Sequence, residues 1–159
     1  MKPPSRARWI AAALCILYGF AKLNGSQFVS LDSELSKPMG DVSGYWLTWY
    51  YFGYSPTYGT LIAVMQVAGG VLLTFRRTAL LAALVLMPVF VNILLVDVFF
   101  RITFGATLTA LLVLGCLSAV IAPHVARLRR AVLPATGAHQ LAPRMAMLAA
   151  LLIAGWSVT

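Results

Sequence analysis

The chain has 159 residues, 61% hydrophobic and 10% charged, with a formal net charge of +8 and a mean hydropathy of +0.88. An ordinary soluble domain carries about a quarter charged residues, so the composition excludes one and points to a single small integral membrane domain over 1–159. The basic balance does not indicate nucleic acid, because the basic residues cluster at the ends of apolar segments rather than along a water-facing surface.

Lys2, Arg6 and Arg8 give a positive start, and Trp9 to Leu31 reads as the first span. Gly19 and Ala21 before Lys22 imitate a signal-cleavage site, but the apolar segments that follow make a retained signal anchor the simpler account. Residues 32–57 form the longest connection, an outer loop with Asp32, Glu34 and Asp41 against Lys37. Within it Gly44 to Phe52 is too short and too rich in hydroxyls and indoles to span, but suits the headgroup level. It reads as a short interfacial helix, either an aromatic belt that anchors the protein or a lid that brings Trp49 to a ligand.

Two apolar stretches follow as a hairpin, 58–75 and 78–100, joined by the basic turn Arg76-Arg77. A fourth span covers 102–122 and stops at Pro123, which cannot continue a helix. Residues 123–144 form a basic loop through Arg127, Arg129, Arg130 and Arg144, and 145–159 is apolar and uncharged. At ~1.5 Å per residue that last segment scarcely crosses a ~30 Å core, so it is a short fifth helix or a tail that stops within the membrane. The expected fold class is therefore all-α, a polytopic transmembrane helical bundle of four spans plus a short fifth. Lysine and arginine beside the spans place the N-terminus in the cytoplasm, leaving Lys37 and Arg101 outside.

Isolated polar groups within the spans mark the candidate site, since hydrocarbon offers them no water. From helical rise, Lys22 and Asn92 fall ~20 and ~21 Å from the cytoplasmic edge and Gln66 ~12 Å from the outer one, nearly a common height. Gly59, Ala63, Gln66 and Gly70 share one stripe of the second span, and Cys15, Tyr18, Lys22 and Ser26 one of the first. Pro88, one turn before Asn92, leaves the carbonyl of Leu84 without its helical donor. Asp97 has two candidate partners, Arg101 at i+4 or Lys22 across the bundle. The whole layer reads either as hydrogen bonding between helices or as a ligand site of Tyr18, Lys22, Ser26, Trp49, Gln66, Asn92, Asp97 and Arg101.

Cys15 and Cys116 lie in apolar segments and read as packed thiols. His124 and His139 have no metal-ligand spacing, and no catalytic set is evident. The apolar surface requires a lipid bilayer as partner.

The stretches Tyr18-Gly19-Phe20-Ala21-Lys22, Gln66-Val67-Ala68-Gly69-Gly70-Val71-Leu72-Leu73 with Phe75-Arg76-Arg77-Thr78, and Pro88-Val89 with Asn92 resemble the DoxX and DoxX-like bacterial inner-membrane proteins over roughly 10–122. The resemblance implies a four-helix bundle in the bacterial cytoplasmic membrane. It also implies quinone-coupled or oxidative-stress redox chemistry, since some relatives are subunits of a thiosulfate:quinone oxidoreductase; a quinone is the cofactor it suggests. The long aromatic loop and the apolar tail depart from the minimal pattern.

These readings converge on a membrane protein that binds a small quinone-like or lipid-like molecule with a polar head, or serves as an accessory subunit in redox chemistry. A partner membrane subunit or self-association stays open. The alternative is a small-solute or proton-coupled permease, which needs a polar path through the cytoplasmic half as well. A redox enzyme acting alone ranks last, because the chain shows no haem ligand pair, flavin motif or dithiol.

Overall fold

The computed structural model describes residues 5–29 and 31–132. Its regular elements are α1 Ser5–Leu23, α2 Asp32–Leu35, a 3-10 turn at Met39–Asp41, α3 Gly44–Tyr54, α4 Pro56–Thr74, α5 Ala79–Phe99, α6 Phe104–Ile121, a 3-10 turn at Ala122–His124, and α7 Val125–Val132. Among the described residues there is no strand. The expected fifth apolar helix over 145–159 lies outside them, as do His139 and Arg144. By its internal packing the chain divides into two compact units, Met1–Pro123 and His124–Thr159.

Three helical stretches are long and apolar enough to cross a membrane: Pro56–Thr74, Ala79–Phe99 and Phe104–Ala131, with hydropathies of 1.4, 2.7 and 2.2. Two of them, α4 and α6, start at side chains that satisfy a free N–H group of the first turn. Ser55 Oγ accepts from Tyr58 N at 3.3 Å ahead of Pro56, and Thr103 Oγ1 accepts from Ala106 N at 3.2 Å. Thr78 Oγ1 donates to Leu72 O at 2.7 Å and closes the basic turn between α4 and α5.

α1 differs from its expected span. It runs Ser5–Leu23 rather than Trp9 to Leu31, because Asn24-Gly25 stops it. Gly25 takes φ +74°, and Ser26 N reaches back to Ala21 O at 3.1 Å, the αL closure that glycine permits at a helix end. The helix thus begins earlier and carries Arg6, Arg8 and Lys22, which keeps it outside the set of three apolar stretches. Arg8 is buried, with its guanidinium 5.6 Å from the Trp9 ring centre.

The unit Met1–Pro123 is built on α1, α4, α5 and α6, with α1 against α4 and α6, and α5 likewise against α4 and α6. Ala11, Ala12, Cys15, Leu73, Leu86, Phe90, Val113, Cys116, Leu117 and Val120 form its core, so both thiols are packing groups of one cluster. α1 and α4 approach backbone to backbone. A Cβ on Gly19 would stand 2.6 Å from Val67 Cγ2 and 2.9 Å from Ala63 O, and one on Gly70 would stand 3.0 Å from Ala12 O. The two contacts define an antiparallel register in which Gln66 is level with Tyr18. Small residues at such a crossing are what dispersion-driven helix packing in lipid requires.

α5 ends in the same kind of closure as α1, without glycine. Ile102 N donates to Asp97 O at 3.0 Å while Arg101 takes φ +53°, a conformation that costs an L side chain about 1 kcal/mol or more.

Two stability outcomes follow from these backbone features. Gly19→Ala destabilises the protein by about 1 to 3 kcal/mol through overpacking, whereas Gly115→Ala, with open space around the new Cβ, does not; denaturation in SDS–detergent mixtures measures both. Arg101→Gly stabilises by about 1 kcal/mol, and an unchanged or lower midpoint in the same assay contradicts the strain assigned to that residue.

Candidate functional site

At the end of the bundle where α1 and α5 stop and α4 and α6 start, the helices leave a cavity of about 410 Å³. The volume is within the ~300–1,000 Å³ range of small-molecule sites. Its walls are Ile62 and Met65 of α4, Pro88, Val89, Ile93 and Val96 of α5, and Ala106 of α6. The roof is α3, through Thr48, Trp49 and Phe52, together with Phe28 from the loop after α1.

Glycines seat the roof at both ends. A Cβ on Gly44 would lie 2.9 Å from Phe100 O, and one on Gly53 would lie 3.0 Å from Phe28 O. Phe28 stacks on Phe52 with ring centres 4.9 Å apart and meets Trp49 edge-on at 6.0 Å. Its backbone is in the left-handed region, φ +65°, where a bulky residue is rare. The aromatic packing holds it there. Thr48 is buried and spends its hydroxyl hydrogen on Gly44 O at 2.9 Å.

Two charged residues line this apolar chamber, Lys22 and Asp97. Lys22 occupies the last turn of α1, where the helix dipole favours a cation. Its ammonium sits 5.6 Å from the Tyr18 ring centre and 5.9 Å from that of Phe28, both within cation–π range. Asp97 is near the C-terminal end of α5, where the same dipole disfavours a carboxylate. It is only 8% exposed, and its Oδ2 has no hydrogen-bond partner. The two groups feel each other's charge without closing a salt bridge. Among the described residues the one ion pair is Lys37 with Glu34, at 2.6 Å on the surface.

The structure places the residues singled out from sequence as follows. Tyr18, Lys22, Trp49, Asn92 and Asp97 line the cavity, with Asn92 exposed at its rim. Gln66 does not line it. It is fully buried between α4 and its neighbours, and neither amide atom has a partner, so the expected hydrogen bond between helices is not formed. Ser26 is exposed in the turn after α1, where its Oγ donates to Asn24 Oδ1 at 2.7 Å. Arg101 is exposed beyond the end of α5. Its αL backbone removes it from the helical face on which an i, i+4 pair with Asp97 depends.

The common height expected for Lys22, Gln66 and Asn92 shifts with the true end of α1. Lys22 and Asp97, each within two residues of a helix terminus, form the outermost level. Asn92 is about one and a half turns further in along α5, and Gln66, level with Tyr18, is about one turn inside Lys22. Gln27, Phe28, Thr48 and Ile102 were not among the sequence candidates yet line the cavity. The pair Asn24-Gly25 is the signal that would have exposed the first two, because a chain that turns at Gly25 folds back over the helix end.

Asp97→Asn in protein stripped of bound amphiphile is expected to raise the thermal midpoint. It removes a charge that has an unpartnered oxygen and an unfavourable dipole, a change worth about 1 kcal/mol or more. A lower midpoint by scanning calorimetry would show instead that the carboxylate braces the fold.

The chain is 35% identical over 111 residues to the uncharacterized protein YwoB of Bacillus subtilis (strain 168), an alignment that covers 70% of this chain and 71% of that protein. No family model matches the chain, and no solved structure matches it.

Proposed function

We propose, for a chain that belongs to the family of YwoB, that it is a four-span membrane protein whose cavity binds a small amphipathic molecule, quinone-like or lipid-like. The observation that carries this reading is the chamber itself. Apolar walls enclose two oppositely charged groups that are not joined in an ion pair, and one of them has a buried oxygen without a partner. A mostly apolar pocket with a few convergent polar groups suits a ligand with a greasy body and a hydrogen-bonding head.

α1 supplies the fourth span, with Arg6 and Arg8 on the cytoplasmic side and Lys22 at the outer interface, where a long side chain can reach headgroups. Arg76 and Arg77, exposed between α4 and α5, belong to the same cytoplasmic side by the positive-inside rule. In this orientation the cavity and its α3 roof belong to the outer leaflet of a bacterial inner membrane. The accessory role in quinone-linked redox chemistry implied by the DoxX resemblance requires only that the chamber hold the quinone while a partner subunit does the chemistry.

A permease needs the cavity to continue through the bundle. The other half is filled by buried Cys15, Leu73, Leu86, Val113 and Leu117, which favours a dead-end binding site.

Gentle extraction followed by mass spectrometry of what co-purifies tests the reading. The wild-type chain is expected to carry an amphiphile that Ala106→Phe, which fills the chamber, reduces at least about fivefold while circular dichroism stays unchanged. If both proteins carry the same complement, the chamber is not the binding site.

A further inference from the structure

The charges in the chamber specify the head of the occupant more narrowly than its body. We propose that the site takes a zwitterionic aminoalkyl phospholipid, its phosphate at Lys22, its ammonium at Asp97, and its acyl chains leaving sideways between α4 and α5. The assignment rests on the amphiphile reading above and adds the chemical class of the head.

The two charges stand unjoined in a chamber whose other lining side chains are apolar or aromatic save Gln27, Thr48 and Asn92, none of which is hydrogen-bonded to Asp97 Oδ2. Apart from Asp97, with which it closes no salt bridge, the ammonium has ring faces, Tyr18 and Phe28, as its charge-stabilising neighbours. They offer it no anion. The carboxylate has an oxygen that accepts nothing, and a buried charge left so is costly. Thr48 cannot supply the missing donor, because its hydrogen is engaged by Gly44 O.

Each class of head satisfies this pair differently. A head of carbonyl oxygens, such as a quinone, offers acceptors to Lys22 and nothing to Asp97. A purely anionic head pairs with Lys22 and repels Asp97. A head with an anionic oxygen at one end and an N–H donor at the other satisfies both with charge-assisted hydrogen bonds, and leaves the site neutral. A quaternary ammonium keeps the charge but has no N–H to give to Oδ2.

The route for the chains is also visible. The rim of the chamber is formed by Tyr58, Leu61, Met65, Pro88 and Asn92, all exposed residues of α4 and α5. α3 and Phe28 cover the top. The opening thus faces sideways, onto helices apolar enough to contact lipid, and tails running out there stay in hydrocarbon.

The test uses the full chain purified in a mild detergent, stripped of lipid, and titrated by native mass spectrometry with three phospholipids of identical acyl chains. Their heads are phosphoethanolamine, phosphocholine and phosphoglycerol. Phosphatidylethanolamine is expected to bind at least about tenfold more tightly than either other lipid, a difference of ~1.4 kcal/mol. Asp97→Asn is expected to abolish that preference, and Lys22→Met to weaken all three lipids. The wild-type comparison of ethanolamine with choline needs no variant, so a substitution that fails to fold does not remove the test. Equal binding of the three lipids, or a preference that survives Asp97→Asn, overturns the head assignment. If the lipids bind equally and Ala106→Phe still excludes them, the chamber remains an amphiphile site and only the head assignment falls. If Ala106→Phe changes nothing, both fall. A quinone that displaces phosphatidylethanolamine at equal concentration also overturns the proposal.

Discussion

The close approach of α1 to α4 is the constraint on which the rest of the structure depends. Gly19 and Gly70 let each helix rest on the backbone of the other. That contact sets the register, and the register decides that the last turn of α1 ends beside the first half of α4. Lys22 then comes out at the end of the bundle next to Asp97 rather than against the aliphatic core. Hydrophobicity cannot drive such packing where the surrounding solvent is itself apolar. Shape complementarity of small residues has to hold the register, and a single added methyl group is felt at the site about a turn away.

The open end of the bundle follows from the same geometry. Toward the Arg76-Arg77 turn, α5 comes close enough to α4 that a Cβ on Gly69 would stand 2.7 Å from Leu86. Toward the other end the facing residues are Ile62, Met65, Val89 and Ile93, with the chamber between them. Pro88 lies in α5 at the point where the chamber begins, and its missing N–H loosens the helix there. Tight packing at one end and a void at the other are two consequences of one distribution of glycine and proline.

Much of this was legible in the residues, and the parts that were not have physical reasons. α4, α5 and α6 lie within two residues of their expected limits, because Pro56, the Arg76-Arg77 turn, Thr103 and Pro123 are strong local punctuation. α1 was misread at its far end. The apolar run through Phe28, Val29 and Leu31 carried the hydropathy signal past Asn24-Gly25, and the turn chemistry prevailed. Lys22, Asn92 and Asp97 were recognisable as costly groups in hydrocarbon. Which of them would share a space was not, since that depends on helix ends and on the fold-back of Phe28. Gln66 had every sequence mark of the site, yet the stripe that carries it is the packing face, and it is buried there without a partner.

The roof is fixed at two points, Gly44 on Phe100 and Gly53 on the Phe28 backbone, and both lie in the closures that end α5 and α1. It can therefore shift only if those two loops shift together. On the proposed orientation, a solute in the periplasm meets a shut door, and traffic into the chamber runs within the plane of the leaflet. Occupancy would then answer to mole fraction in a two-dimensional solvent, tracking which lipids the cell makes rather than what is dissolved around it.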